Sequence, residues 1–197
     1  MYTFGVVHIH DFLCISPPFT SGLVWIIGDS IIRRAERRLG LPIKIEWKGK
    51  GGAGVCAFHD LLAGLSKGGP PPQLLIIHLG TNDLVTKDEY ALRQIIAVML
   101  RDCAMMYPNT WLVWSDILPR VFYIGARSQP AIERKRRTVN RWARSQCAAV
   151  QAFCMHHPQF VWSQTSLFSY DGVHLSPMGN QLFVANLRQC IVSQFGL

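Results

Sequence analysis

Residues 23–32 read LVWIIGDSII. Five apolar residues, Leu23 to Ile27, run without a polar break and stop at Gly28-Asp29-Ser30. A strand that is apolar on both faces belongs in a parallel sheet covered by helices on both sides. Directly after it, Ile31, Ile32, Ala35 and Leu39 fall on one helical face, with Arg33, Arg34, Arg37 and Arg38 elsewhere. That spacing predicts a helix over Ser30–Leu39, punctuated by Gly40 and Pro42. Strand, tight loop and helix together open a βαβ unit, and its loop lies at a carboxyl end, where open α/β sheets build their sites.

The pattern repeats outward from this stretch. Ile43–Trp47 alternates Ile43, Ile45 and Trp47 against Lys44 and Glu46, as a half-buried strand does. A glycine loop follows (Gly49, Gly51, Gly52, Gly54), then a helix over Val55–Leu65. Leu74–Leu79 is the most hydrophobic run and reads as a central strand. A helix over Lys87–Met106, a strand over Trp111–Ile117, a long helix over Gln129–Met155 and a short fifth strand at Phe160–Trp162 complete the alternation. Ser176-Pro177 opens the last helix, with a capping serine and proline at the first helical position. Strands separated by helices pair in parallel with right-handed crossovers. The expectation is an α/β fold, a three-layer α/β/α flavodoxin-like sandwich on a five-stranded parallel sheet in the order 2-1-3-4-5. Residues 1–21, which include Pro17-Pro18, show no period and read as an irregular N-terminal leader before one domain over 22–197.

The chain has 197 residues, room for one domain with a sizeable core but not for two. No apolar run approaches the roughly 18 residues that would span a bilayer. His8, His10 and Asp11 interrupt the apolar start, and no basic leader precedes it, which argues against a signal peptide. An intracellular location, cytoplasmic or nuclear, is expected. The six cysteines (Cys14, Cys56, Cys103, Cys147, Cys154, Cys190) have no repeated spacing and read as free thiols. Cys154, His156 and His157 lack a second ligand pair, so no metal is expected.

The chemistry sits in three short motifs. Gly28-Asp29-Ser30 follows the first strand, Gly80-Thr81-Asn82-Asp83 the central strand, and Asp171-Gly172-Val173-His174 precedes the last helix. Ser30 is a nucleophile candidate. Asp171 can reach His174 Nδ1 and fix its tautomer, leaving Nε2 to accept the serine proton. The Asn82 side chain can donate to a developing oxyanion, and the bare backbone at Gly51 and Gly52 can lend another N–H. A capping serine, a turn aspartate and a loop asparagine are each ordinary alone. Their arrival in compatible order at successive strand ends points to a serine hydrolase.

These blocks resemble those of the SGNH/GDSL-type hydrolases, a family whose four blocks contribute Ser, Gly, Asn and His. The serine block is Ile27-Gly28-Asp29-Ser30-Ile31, the glycine block Gly49-Lys50-Gly51-Gly52, the asparagine block Gly80-Thr81-Asn82-Asp83, and the last block Asp171-Gly172-Val173-His174-Leu175-Ser176. Ile31 stands where the GDSL name has leucine. The resemblance spans roughly residues 23–195. It implies ester hydrolysis without a cofactor on a small-molecule acyl ester. Ser30, Asp171 and His174 would form the catalytic set, and Ser30, Gly52 and Asn82 the oxyanion hole, with Gly51 or Gly54 as alternatives to Gly52. Asp29 and Asp83 would support the loops. Val24-Trp25-Ile26-Ile27, the Trp47 to Gly52 stretch and His174 to Asn180 further resemble SGNH-like domains of vertebrate mobile elements.

The net charge is +8, from 20 Lys and Arg against 12 Asp and Glu. Arg134, Arg137, Arg141 and Arg144 recur at helical spacing opposite Ile132, Val139, Trp142, Val150 and Phe153. A solvated outer face is the favoured reading of this stripe. Nucleic-acid binding by a catalytically drifted accessory protein is the alternative. A nucleotide-binding module is disfavoured because Asp29 puts a carboxylate where a phosphate would lie and no Gly-x-Gly-x-x-Gly run is present.

Overall fold

The computed structural model describes residues 22–35, 39–67 and 69–197. The expected leader over 1–21 lies outside them. In chain order the elements are β1 (Leu23–Gly28), α1 (Ser30–Arg34), β2 (Lys44–Gly49), a 3₁₀ turn (Val55–Ala57) running into α2 (Phe58–Ala63), β3 (Leu74–His78), α3 (Asp83–Thr86), α4 (Glu89–Met106), β4 (Trp111–Ser115), α5 (Gln129–Ala149), β5 (Phe153–Met155), a 3₁₀ turn (Thr165–Leu167) and α6 (Pro177–Phe195). The strands form one parallel sheet in the order β2-β1-β3-β4-β5. This is the order the alternation of apolar runs and helices predicts.

Strand parity divides the core between the two faces of the sheet. Leu23, Trp25, Ile27, Leu75, Ile77, Leu112 and Trp114 pack against α2, α4 and α5. Val24, Ile26, Leu74, Ile76 and Val113 pack against α1 and α6. The three inner strands are therefore apolar over residues 23–27, 74–77 and 111–114, because both faces are covered. Truncating one of these fully buried side chains, such as Ile26→Ala, costs about 2–5 kcal/mol.

The join between β1 and α1 is close enough to exclude side chains. A Cβ on Gly28 would stand 2.6 Å from the His78 carbonyl oxygen, and one on Gly49 would stand 2.3 Å from the Arg33 backbone nitrogen. The first turn of α1 thus rests directly on the sheet end, with Ser30 at its first position. The Asp29 side chain caps the helix by accepting from the Ile31 N–H at 2.8 Å.

Three expectations are corrected. First, α1 ends at Arg34, not Leu39, because Ala35 turns to extended backbone (ψ 145°). Ala35 and Leu39 still bury in the core, so the apolar spacing that suggested a longer helix reflects burial and not helix. Second, α5 ends at Ala149, not Met155. Gln151 adopts φ 57°, while Ala152 N–H bonds Cys147 C=O at 2.8 Å and Gln151 N–H bonds Ala148 C=O at 3.4 Å. That is a Schellman closure, and it releases Phe153–Met155 as β5. Third, the fifth strand is therefore not Phe160–Trp162. Phe160 is a buried loop residue, and Val161 and Trp162 are exposed.

Candidate active site

The carboxyl ends of β1, β2 and β3 carry the loops that contain the serine, glycine and asparagine motifs. Ser30 follows β1 and is nearly buried. Its hydroxyl makes no hydrogen bond among the described residues. Residues Lys50 to Ala53 form a β-turn closed by Ala53 N–H to Lys50 C=O at 3.2 Å, with Gly52 at φ +72°. A positive φ at the third turn position is the type II geometry that selects glycine. No heavy atom lies within 4 Å of the place a Gly52 Cβ would occupy, so the turn is open. Gly54, by contrast, lies against Asp83, whose carboxylate would stand 2.5 Å from a Cβ there. Asp83 accepts the Val55 N–H at 2.8 Å and so locks the glycine loop to the loop after β3. Burial raises the Asp83 carboxyl above its ordinary range, against the pull of the Val55 N–H, Lys87 and Lys135.

The loop before α6 builds the histidine. Asp171 Oδ1 accepts the Val173 and His174 N–H groups, each at 2.9 Å, and Oδ2 lies 2.6 Å from His174 Nδ1. Desolvation would raise the Asp171 carboxyl. The bond from the His174 ring and those two backbone donors outweigh it and hold the group well below the carboxylate range. The geometry assigns the proton between the pair to Nδ1 and leaves Nε2 free of the carboxylate.

The two halves share one electrostatic field. Asp29 is fully buried, and desolvation raises its carboxyl to about 6, opposed by the Ile31 N–H, by Arg120 and by His174. His174 thus favours the ionised form of the residue beside Ser30, and no hydrogen bond joins Ser30 to His174. Serine–histidine contacts in unliganded sites are commonly longer than in the complex with substrate.

Arg120 enters from the loop after β4 and is a residue the sequence reading missed. It is 9% exposed. Its Nη2 donates to Asn82 Oδ1 at 2.9 Å, and the Asn82 Nδ2 donates to Ala53 C=O at 2.9 Å. Burial lowers the Arg120 guanidinium, while Asp29, Tyr123 and Asp171 favour its charge. One signal for it was present. Asp29 and Asp171 both belong to the motifs, and two carboxylates gathered at one histidine call for a cation.

In the loop of residues 118–128, Phe122 and Tyr123 turn different ways. Phe122 is half exposed, and its N–H donates to Gly172 C=O at 3.0 Å, beside His174. Tyr123 instead turns into the core, where its hydroxyl donates to Glu133 and accepts the Arg120 N–H. Gln129 clasps the Tyr123 backbone from both sides.

A second serine–histidine arrangement lies deeper. Ser115 Oγ is 2.9 Å from His78 Nδ1 and 2.8 Å from His157 Nε2. Asn186 Nδ2 stands 3.0 Å from His157 Nδ1. With Asn186 donating, His157 Nε2–H donates to Ser115, whose hydroxyl donates to His78. Burial lowers His78 to about 3 and His157 to about 4. Ser115 is wholly buried, so this row is a neutral internal network and not a reaction centre.

The arginine stripe divides in two. Arg144 pairs with Asp116, and Arg137 with Glu133 at 3.0 Å. Arg134 and Arg141 meet no carboxylate among the described residues. Arg136 is turned inward, bonding Glu133 and the Ile117 carbonyl. His156 is engaged by Asp116 and His157 by Ser115. Among the described residues no three His, Cys, Asp or Glu side chains gather as a metal would need. Nor is any described helix long and apolar enough to cross a membrane.

An open parallel sheet between two helical layers, with motif loops at its carboxyl edge, is the architecture of a flavodoxin-like α/β/α protein. A family model of the GDSL-like lipase/acylhydrolases matches residues 26–182, and the chain belongs to that family. The fold is shared with a GDSL-like lipase from Bacteroides thetaiotaomicron (TM-score 0.71, 19% identity, covering 91% of this chain and 92% of that one). It is shared also with a lipase/acylhydrolase from Enterococcus faecalis (TM-score 0.67, 16% identity, 87% and 96% covered). A third structure is the psychrotrophic esterase EstA from Pseudoalteromonas sp., inhibited by monoethylphosphonate (TM-score 0.67, 14% identity, 90% and 100% covered). Comparison with curated proteins gives no match. The matched family is the broad one, and these findings do not bear on the mobile-element likeness.

Proposed function

We propose that the chain hydrolyses acyl esters of small molecules, with Ser30 as nucleophile, His174 as general base and Asp171 as the group that fixes its tautomer. The observation that carries this reading is the 2.6 Å contact between Asp171 and His174 Nδ1. His174 Nε2 takes the proton as Ser30 Oγ attacks the acyl carbonyl. The oxyanion is met by the backbone N–H groups of Ser30 and Gly52 and by the Asn82 amide. His174 then protonates the departing alcohol, and water releases the acyl group from Ser30.

The inhibition of the esterase EstA by a phosphonate suggests the test. A fluorophosphonate probe should label Ser30, and the protein should hydrolyse p-nitrophenyl acetate. Ser30→Ala should abolish both, and His174→Ala nearly all turnover, because the pair acts as a unit. Equal hydrolysis by wild type and Ser30→Ala would overturn the assignment. The nucleic-acid alternative is less well supported, since two of its four arginines are engaged by carboxylates of the same chain.

A further inference from the structure

The geometry points to Arg120 as the positioning residue of the oxyanion hole, acting through Asn82. This rests on the hydrolase reading above. An asparagine amide has two faces, an oxygen that only accepts and a nitrogen that only donates. In a loop, nothing intrinsic decides which face meets a substrate. Here two contacts agree. Arg120 Nη2, which can only donate, meets Oδ1 at 2.9 Å. The Ala53 carbonyl, which can only accept, meets Nδ2 at 2.9 Å. Flipping the amide would set donor against donor and acceptor against acceptor. One Nδ2 proton is spent on Ala53, and the second is the one left for an oxyanion.

Arg120 is itself held from three directions. Its backbone N–H reaches the Tyr123 hydroxyl, which donates to Glu133 on α5. The adjoining Phe122 N–H bonds Gly172, two residues before His174. The guanidinium has two motif carboxylates, Asp29 and Asp171, in its field and is 9% exposed. Its Nη2 bond to Asn82 makes it a donor aimed at that amide.

The test is a double-mutant cycle with p-nitrophenyl acetate. Asn82→Ala should lower kcat about 100-fold or more, the usual size for one oxyanion donor. Arg120→Met should lower kcat at least about 10-fold with KM nearly unchanged, because the lost interaction is made in the transition state. In the Asn82→Ala background the same change should cost less than about twofold, since the residue through which it acts is gone. Arg120→Lys, which keeps a cationic donor, should recover most of the loss. Equal losses in both backgrounds, or a rise in KM with kcat intact, would overturn the proposal. If Arg120→Met loses its cooperative unfolding transition, the cycle is run with Arg120→Ala, which also removes the donor but leaves room for water, and is judged by the same criterion. Should wild type neither turn over esters nor take the fluorophosphonate, the hydrolase reading fails by itself. Arg120 is then judged by hydrogen exchange of the Asn82 side-chain amide. Protection in wild type that is lost in Arg120→Met supports the contact, and unchanged exchange refutes it.

Discussion

Asp29→Asn is expected to stabilise the protein at pH 8 and to do little at pH 4. The carboxyl is fully buried, and its desolvation lifts it from 3.8 to about 6. The folded state therefore binds this proton more tightly than the unfolded chain does. Stability contributed by that proton is complete below about 4 and is lost as pH rises through about 6. At about 1.36 kcal/mol per pH unit, the interval corresponds to roughly 3 kcal/mol of strain carried by the ionised group at neutral pH. Asparagine removes the charge and keeps the cap, because its oxygen can still accept the Ile31 N–H and it is as good a capping residue. It adds no orphaned polar atom, since Asp29 Oδ2 already lacks a partner. Urea denaturation of both proteins at pH 4 and pH 8, with equal slopes, isolates the linkage because every other titrating group cancels. A variant gain that is the same at both pH values, or a loss at pH 8, would refute the reasoning.

Asp171→Asn should lower kcat by about 10³–10⁴-fold on p-nitrophenyl acetate by setting a donor against His174 Nδ1 and favouring the wrong tautomer; a loss under tenfold would count against the assigned role. His78 and His157, lowered to about 3 and 4, should remain neutral at pH 5 by NMR titration. Because unfolded histidine titrates near 6.5, the contribution of these two histidines to stability should decline as pH falls from about 6.5 toward 4, opposite in sign to that of Asp29, so the decline should be steeper in Asp29→Asn than in wild type. Arg134→Gln with Arg141→Gln should change stability by no more than about 0.5 kcal/mol each in denaturant melts. Arg144→Gln, which uncovers the buried Asp116, should cost about 1–3 kcal/mol.

The strands were legible because β1 and β3 are buried on both faces and so carry no polar residue between Leu23 and Ile27 or between Leu74 and Ile77. The start of α6 was legible because Ser176 and Pro177 act locally. The end of α5 was not. Cys147, Val150 and Phe153 continue a helical apolar spacing across the break, and the stop is a left-handed Gln151 with no glycine or asparagine to mark it. The Asp171–His174 contact could be read from a separation of three residues in a turn. The Arg120–Asn82 contact could not, since it joins positions 38 residues apart and depends on how α5 holds the loop after β4.

The two outer strands have a consequence for the molecule in company. Among the described residues, β2 pairs only with β1 and β5 only with β4, so these two strands are the edges of the sheet they form. Open edges template association unless they are blunted. At β2 the blunting is charge, with Lys44, Glu46 and Lys48 spread along six residues. At β5 it is brevity, since three residues are too few to register a partner. The chain thus guards its two flanks by different means, and replacing Lys44, Glu46 and Lys48 with valine would leave one flank as a flat β-forming ribbon prone to self-assembly.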